Sequence, residues 1–221
     1  MKLALLGSGK TGGKVLELTK EDVTVFDSEN PPLFSSLEGH DVILSFLPGD
    51  AFESLIPLLI ETHIPVVIAS TGFTWPSSID EILLERKVPW IYASNFATGM
   101  QMAFSLIEKM AQASSMLDGK FAIEETHHAN KKDAPSGTAL SWKRLLKKAG
   151  ENIKITSRRQ GDVAGIHQMT VKTDYECVTL KHQALDRRAF AKGALLACEK
   201  IKHLSPGLHR FHEIYLKEIL K

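Results

Sequence analysis

The chain opens with short apolar runs separated by stretches whose apolar residues recur at helical spacing. Five runs stand out: residues 2–6, 23–26, 42–47, 65–69 and 89–93. They are continuous rather than alternating, as expected of strands buried on both faces of a parallel sheet. Helical patterns over 14–20, 50–61 and 78–87 lie between them. The last begins Ser78-x-x-Glu81, a capping box that satisfies backbone N–H groups at a helix start. Pro57 sits inside the second pattern and predicts a kink or early stop. Strand–helix alternation of this kind predicts an open, doubly wound α/β sheet.

From residue 98 the pattern changes. A long amphipathic helix is expected over 100–116, a strand over 120–128, a polar loop over 129–135 and a helix over 136–149 ended by Gly150. Strands are expected over 153–158, 165–173 and 177–184, the last two joined by a short polar connection. Such neighbours form a mixed or antiparallel sheet, hence a second α+β unit. A helical pattern over 187–203, a Ser205-Pro206-Gly207 break and a short final helix close the chain. The expected division is residues 1–97 plus about 187–221 for one domain and about 98–186 for the other.

Charge changes this picture little. The chain has 221 residues, with 27 Lys plus Arg against 26 Asp plus Glu, so no bulk attraction to nucleic acid or an anionic membrane is expected. The apolar run at the start ends at Gly7, and no segment has the length of a signal core or a spanning helix. A cytoplasmic location is expected. Cys177 and Cys198 form no CxxC pair, which argues against a disulfide framework or structural zinc, and both are expected to be buried and inert.

Two segments carry chemistry. Gly7-Ser8-Gly9-Lys10-Thr11-Gly12 follows the first run and opens the first helix, matching G-x-G-x-x-G. Its glycines allow a tight turn, close approach of a pyrophosphate and close helix–strand packing. Asp27, 20 residues after Gly7, ends the second run and can accept hydrogen bonds from a ribose. Gly-Lys-Thr also invites a phosphate-loop NTPase reading, but that motif's first glycine falls on Ala4, inside the strand. Asp27 repels a 2′-phosphate and no arginine follows it, so NADH is favoured with NADPH tolerated.

The second segment runs Glu124-Glu125-Thr126-His127-His128-Ala129-Asn130-Lys131-Lys132-Asp133-Ala134-Pro135-Ser136-Gly137-Thr138-Ala139. Two histidines at a strand end meet a basic loop and then a helix start capped by Ser136. Gly137 and Thr138 would present amides and a hydroxyl to an anion, with Lys131 supplying a cation. The pattern is that of a carboxylate site beside an acid/base histidine.

From Glu125 to Ala139 this segment resembles the E-x-H-H-x-x-K-x-D-x-P-S-G-T-A pattern of the dihydrodipicolinate reductase family at every fixed position. Ser70-Thr71-Gly72-Phe73, Ser94-Asn95-Phe96 and Arg159-x-Gly161-Asp162-x-x-Gly165-x-His167 resemble further family segments in the same order. The resemblance implies a Rossmann-type nucleotide domain with a second domain for substrate binding and oligomerisation. It implies NADH- or NADPH-dependent reduction of 4-hydroxy-tetrahydrodipicolinate in diaminopimelate and lysine biosynthesis, without a metal, by a homotetramer. His127 would then give or take a proton and Lys131 would donate one, while His128, Gly137 and Thr138 would hold the substrate carboxylates. Gly7, Ser8, Gly9, Lys10, Thr11, Gly12 and Asp27 would bind the dinucleotide. Ala69, Ser70, Thr71, Ala93, Ser94, Asn95 and Phe96 would flank its nicotinamide. The glycine loop is one residue shorter than the family's usual form, and the linker between the second and third strands is trimmed.

Two other readings stay open at this stage: a related dehydrogenase of another small amino or imino acid, and a non-catalytic dinucleotide-binding regulator. A metal at His127 and His128 is disfavoured because no carboxylate or third histidine stands at a diagnostic spacing. His167 is read as either a surface residue or one beside the substrate, and His203, His209 and His212 as surface positions. Phe104, Leu106, Ile107 and Met110 read as one core or interface stripe.

Overall fold

A computed structural model describes residues 1–149 and 153–219. Expectations for Gly150 fall outside the described residues. The chain divides into two compact units, Met1–Ala97 with Arg187–Lys221, and Thr98–Asp186.

In the first unit the strands β1 (Lys2–Leu6), β2 (Asp22–Phe26), β3 (Val42–Ser45), β4 (Val66–Ile68) and β5 (Pro89–Tyr92) alternate with α1 (Gly12–Leu18), α2 (Phe34–Leu37), α3 (Gly49–Glu61) and α4 (Ile79–Glu85). The five strands and β10 (Gly207–Arg210) form one parallel sheet in the order β10-β5-β4-β3-β1-β2. Alternate residues of each strand enter opposite cores. Ala4, Leu6, Ile43 and Trp90 pack with Phe52, Ile56 and Leu59 of α3 and Leu83 of α4. Leu3, Leu5, Leu44 and Ile91 pack on the other face with Val15 of α1 and with Ala191, Ala194 and Ala197 of α8 (Arg188–Lys200). This two-sided burial is why the runs lack alternation.

The strand β10 is a correction, because the chain after Gly207 was expected to enter a helix directly. Gly207 has φ +118, and the Asp80 carboxylate accepts from the next amide, Leu208 N, at 2.7 Å. A residue 128 positions away thus ties this segment to the sheet edge. The final helix, α9 (Phe211–Ile219), follows it. His209 and His212 are partly buried rather than surface positions; His209 Nε2 donates to Ser205 O at 2.7 Å.

Pro57 does not stop its helix, and Ser78 does not form its capping box. The helix α3 continues through Pro57, whose ring lies on the exposed face, so the missing hydrogen bond opens to water while Phe52, Ile56, Leu59 and Ile60 keep the other face buried. Ser78 caps α4 by position only. Its backbone at φ −107, ψ 19 is not the extended conformation a capping side chain needs, and it makes no cap hydrogen bond.

The second unit contains α5 (Thr98–Gln112), the single turn α6 (Ser114–Leu117), β6 (Lys120–His127), α7 (Gly137–Leu145) with a following 3₁₀ turn, and β7 (Lys154–Arg159), β8 (Gly165–Lys172) and β9 (Cys177–Ala184). Its sheet order is β7-β6-β8-β9, with β6 and β7 parallel and the other pairs antiparallel. The expected single helix over 100–116 is therefore two. Within α5 the buried stripe is Met100, Ala103, Phe104, Ile107 and Ala111; Leu106 is exposed. Cys198 is buried, but Cys177 is exposed at the start of β9, contrary to expectation. Among the described residues no helix is long and apolar enough to cross a membrane.

Candidate active site

Parallel pairing of β6 with β7 requires a crossover, and α7 supplies it. The crossover brings the N-terminus of α7 back beside the carboxyl end of β6, where His127 is the last strand residue. Along β6 the buried positions are Phe121, Ile123, Glu125 and His127. Period-two alternation thus puts a carboxylate and an imidazole side by side on the covered face. His127 is 7% exposed and Glu125 1%.

The Glu125 carboxylate bonds His127 Nδ1 through Oε2. Its other oxygen, Oε1, accepts from Arg159 Nη2 at 3.0 Å and from Ser136 N at 3.3 Å. Arg159 pairs with His127 across β6 and β7, and Gln160 N donates to His127 O at 2.8 Å. The same guanidinium straps the intervening loop: Nε donates to Lys131 O at 3.3 Å, and Nη2 also donates to Asp133 O. Lys131 Nζ pairs with the Asp133 carboxylate at 2.7 Å. His128 lies just beyond the strand, and its carbonyl accepts from Lys131 N at 3.1 Å.

Ser136 is the N-cap of α7 and accepts from Ala139 N at 3.3 Å, as its place before Gly137 and Thr138 predicted. Gly137 and Thr138 are the first two helical residues, and Thr138 is buried. Ser136 Oγ also meets His167 Nε2 at 3.2 Å. His167, on β8, is 1% exposed, so the surface reading is overturned. Its ring packs edge-on to His127 at 4.9 Å and against Trp142 of α7 at 5.7 Å.

The electrostatics follow from burial and from this network. Burial alone would raise Glu125, but hydrogen bonds from Arg159 and Ser157, with the charge of His127, outweigh it and hold the carboxyl below its ordinary value. Burial lowers His127 and the nearby positive charges of Lys131 and Arg159 lower it further; Glu125 opposes them without reversing the result. Burial, then His127, pushes His167 down to about 3. At neutral pH the site therefore holds an ionised glutamate and two neutral histidines.

The cluster also corrects the expectation about metal ligands. Alternation along β6 supplies the carboxylate and the pairing of β6 with β8 the further histidine: donor atoms of Glu125, His127 and His167 lie within 4.8 Å of one another. Those Glu125 oxygens already serve His127, Arg159, Ser136 and Ser157, and Arg159 and Lys131 add positive charge beside them, which opposes a divalent cation there.

The residues expected to bind a dinucleotide lie in the other unit, at the carboxyl ends of its parallel strands. The order reverses between β1 and β3, and the glycine loop leaves β1 at that switch point. Gly7 has φ +89 and donates to Phe26 O at 2.8 Å. A Cβ at Gly12 would fall 1.9 Å from Gly7 O, whereas one at Gly9 would meet nothing within 4 Å. The loop is thus closed beneath and open outward, with Ser8, Gly9 and Lys10 exposed and Thr11 partly so, which fits a pyrophosphate. Asp27 follows β2, and its Oδ1 accepts from Glu29 N at 3.0 Å and Asn30 N at 3.1 Å. Ala69, Thr71, Ala93, Ser94 and Asn95 are partly exposed. Ser70 is buried with its hydroxyl 3.0 Å from that of Ser45. Phe96 is buried, its ring 5.0 Å from that of Phe211 and its carbonyl packed on Gly193, so its side chain does not flank an open site.

Glu125 and Arg159 lay within the motifs quoted above without a role. Glu125 was legible as the same-face neighbour of His127 two residues earlier on a strand. Arg159 needed the β6–β7 pairing.

Similarity to known proteins agrees with this arrangement. Residues 99–214 match the family model described as dihydrodipicolinate reductase, C-terminus. The 4-hydroxy-tetrahydrodipicolinate reductase of Xylella fastidiosa (strain M12) is 30% identical over 95% of each chain. That of Bdellovibrio bacteriovorus is 34% identical over 79% of this chain and 76% of its own. Among solved structures, dipicolinate-bound dihydrodipicolinate reductase from Paenisporosarcina sp. TG-14 shares the fold at TM-score 0.69 and 19% identity, covering 95% of this chain and 97% of that one. An amine dehydrogenase from Mycobacterium smegmatis does so at TM-score 0.64 and 10% identity, over 96% and 95%. The family model covers more than half of the chain, relatives match along nearly all of it, and the protein belongs to the dihydrodipicolinate reductase family.

Proposed function

We propose that the chain reduces 4-hydroxy-tetrahydrodipicolinate to tetrahydrodipicolinate, releasing the 4-hydroxyl as water, in diaminopimelate and lysine biosynthesis. The observation that carries this reading is the buried Glu125–His127 pair beside the capped start of α7, with Lys131 on the loop between them. Reduced NADH or NADPH, when bound, supplies the hydride for C4. The glycine loop Gly7–Gly12 holds the pyrophosphate, Asp27 the ribose, and the turns after β4 and β5 the nicotinamide. Asp27 and the neighbouring Glu29 disfavour a 2′-phosphate, so NADH is the better donor.

Gly137 and Thr138 bind a substrate carboxylate at the start of α7, where the helix dipole favours an anion, and His128 binds alongside them. His127 exchanges the proton that balances hydride addition, and Lys131, held by Asp133, donates one. The enzyme works in the cytoplasm as a homotetramer built on the sheet of the second unit.

The test uses pyruvate and aspartate semialdehyde with the preceding synthase to generate the unstable substrate in place. NADH and NADPH oxidation are followed separately for the wild type, His127→Gln and Lys131→Ala. Substrate-dependent oxidation that drops at least ~100-fold in either variant supports the reading. A folded, dinucleotide-binding wild type that oxidises neither cofactor overturns it.

A further inference from the structure

Besides the Ser157 hydroxyl, the Glu125 carboxylate receives three converging donors. Arg159 Nη2 and Ser136 N both meet Oε1, at 3.0 and 3.3 Å, and His127 Nδ1 meets Oε2. An ionised carboxylate only accepts hydrogen bonds, so Nδ1 must carry the imidazole proton and Nε2 the lone pair. The reverse tautomer would set two lone pairs against each other in a site with almost no water access, where an unmatched polar contact is costly. The other histidine does not compete for the carboxylate: His167 Nε2 meets Ser136 Oγ, and its Nδ1 makes no hydrogen bond among the described residues. Gly165 packs close beside Nε2 of His127: a Cβ there would lie 3.2 Å from that atom, so only glycine keeps the position uncrowded.

We propose that Glu125 is a positioning residue that fixes His127 as the Nδ1–H tautomer and so makes Nε2 the atom that exchanges the proton in the reaction. This rests on the reading of His127 as the acid/base group. Arg159 and Ser136 determine which carboxylate oxygen faces the histidine. Their convergence on Oε1 makes the consequence of Glu125→Gln specific. The amide oxygen of the glutamine must take the Oε1 place, because both neighbours there are donors. Its NH2 then points at His127 Nδ1, which must accept. The imidazole proton moves to Nε2, the ring stays neutral, and the reacting atom is blocked. The substitution therefore inverts the tautomer rather than only weakening a hydrogen bond.

The experiment is long-range proton–nitrogen correlation NMR on the full chain labelled with [15N]histidine, above pH 7, with the His127 signals identified by their loss in His127→Gln. The wild type should show a pyrrole-type Nδ1 and a pyridine-type Nε2, and Glu125→Gln the reverse. Steady-state kinetics of Glu125→Gln should show kcat lower by at least ~100-fold, with KM and dinucleotide affinity within about twofold. A wild-type proton on Nε2 overturns the proposal, and this spectrum decides even if the variant does not fold. So does a folded variant that keeps Nδ1 protonated, or one with an inverted tautomer and unchanged kcat. The expected tautomers in a chain that reduces no 4-hydroxy-tetrahydrodipicolinate would support the role of Glu125 in orienting His127 and overturn the choice of reaction instead.

Discussion

Arg159 Nη2 lies 3.0 Å from Glu125 Oε1, although the two residues are 34 positions apart. One guanidinium thereby neutralises the carboxylate that holds His127 and anchors the carbonyls of Lys131 and Asp133. The charge state of the histidine and the position of the lysine loop depend on the same side chain.

Arg159→Met removes the charge and keeps most of the stem. The Arg159 charge is one of the causes that lower the His127 pKa, so that pKa should rise in the variant. The limb of the pH–rate profile that reports His127 should move to higher pH. Stability should fall by about 3 kcal/mol, the lower end of the range for breaking a buried pair, because the guanidinium is 18% exposed. A titration of the His127 ring by NMR, with urea melts alongside, checks both effects. An unchanged or lower His127 pKa would contradict the electrostatic role.

His167 should make the second unit sensitive to acid. An unfolded histidine binds a proton below about pH 6.5, whereas buried His167 does so only at about 3. Between those values the unfolded state binds more protons, so stability falls as pH falls, by up to ~1.4 kcal/mol per pH unit. His127 acts in the same direction, because its folded pKa is also lowered. Glu125 joins below about 4.5, where its unfolded form protonates first. His167→Gln keeps a polar group near Ser136 but cannot titrate. Urea midpoints at pH 7 and pH 5 should fall further for the wild type than for this variant. Equal losses would remove His167 as the cause.

The parts of this protein that were legible in sequence are those decided locally. Strands buried on both faces announce themselves as unbroken apolar runs, and Leu3 to Leu6 are all fully buried. The glycine loop is legible because Gly12 has no room for a Cβ against Gly7 O. Ser136 was legible because an N-cap, unlike Ser78 before α4, needed only its own backbone to be extended. What was hidden depends on chain pairing. The segment at Leu208 becomes a strand because Asp80 and β5 hold it there. His167 becomes a neighbour of His127 because β8 runs antiparallel to β6. Sequence spacing alone carries no trace of either contact, and for that reason His167 could be read only as either a surface residue or one beside the substrate.

Asp27 should govern the choice between NADH and NADPH, and its structural role dictates how that is tested. Its Oδ1 accepts from Glu29 N and Asn30 N, and Asn30 in turn donates from its side chain to Val25 O at 2.9 Å. Asp27→Ala would open this turn and confuse a loss of shape with a loss of charge. Asp27→Asn keeps an acceptor oxygen for both amides and removes only the negative charge. A 2′-phosphate carries close to two negative charges near neutral pH and is repelled by the native carboxylate. The variant should therefore gain on NADPH and lose a ribose hydrogen bond on NADH, moving the ratio of kcat/KM values towards NADPH by about tenfold, near 1.4 kcal/mol. Parallel kcat/KM measurements with both cofactors provide the check, and thermal melts confirm that the turn survives. A ratio that stays put in a folded variant would show that discrimination at this site does not run through Asp27.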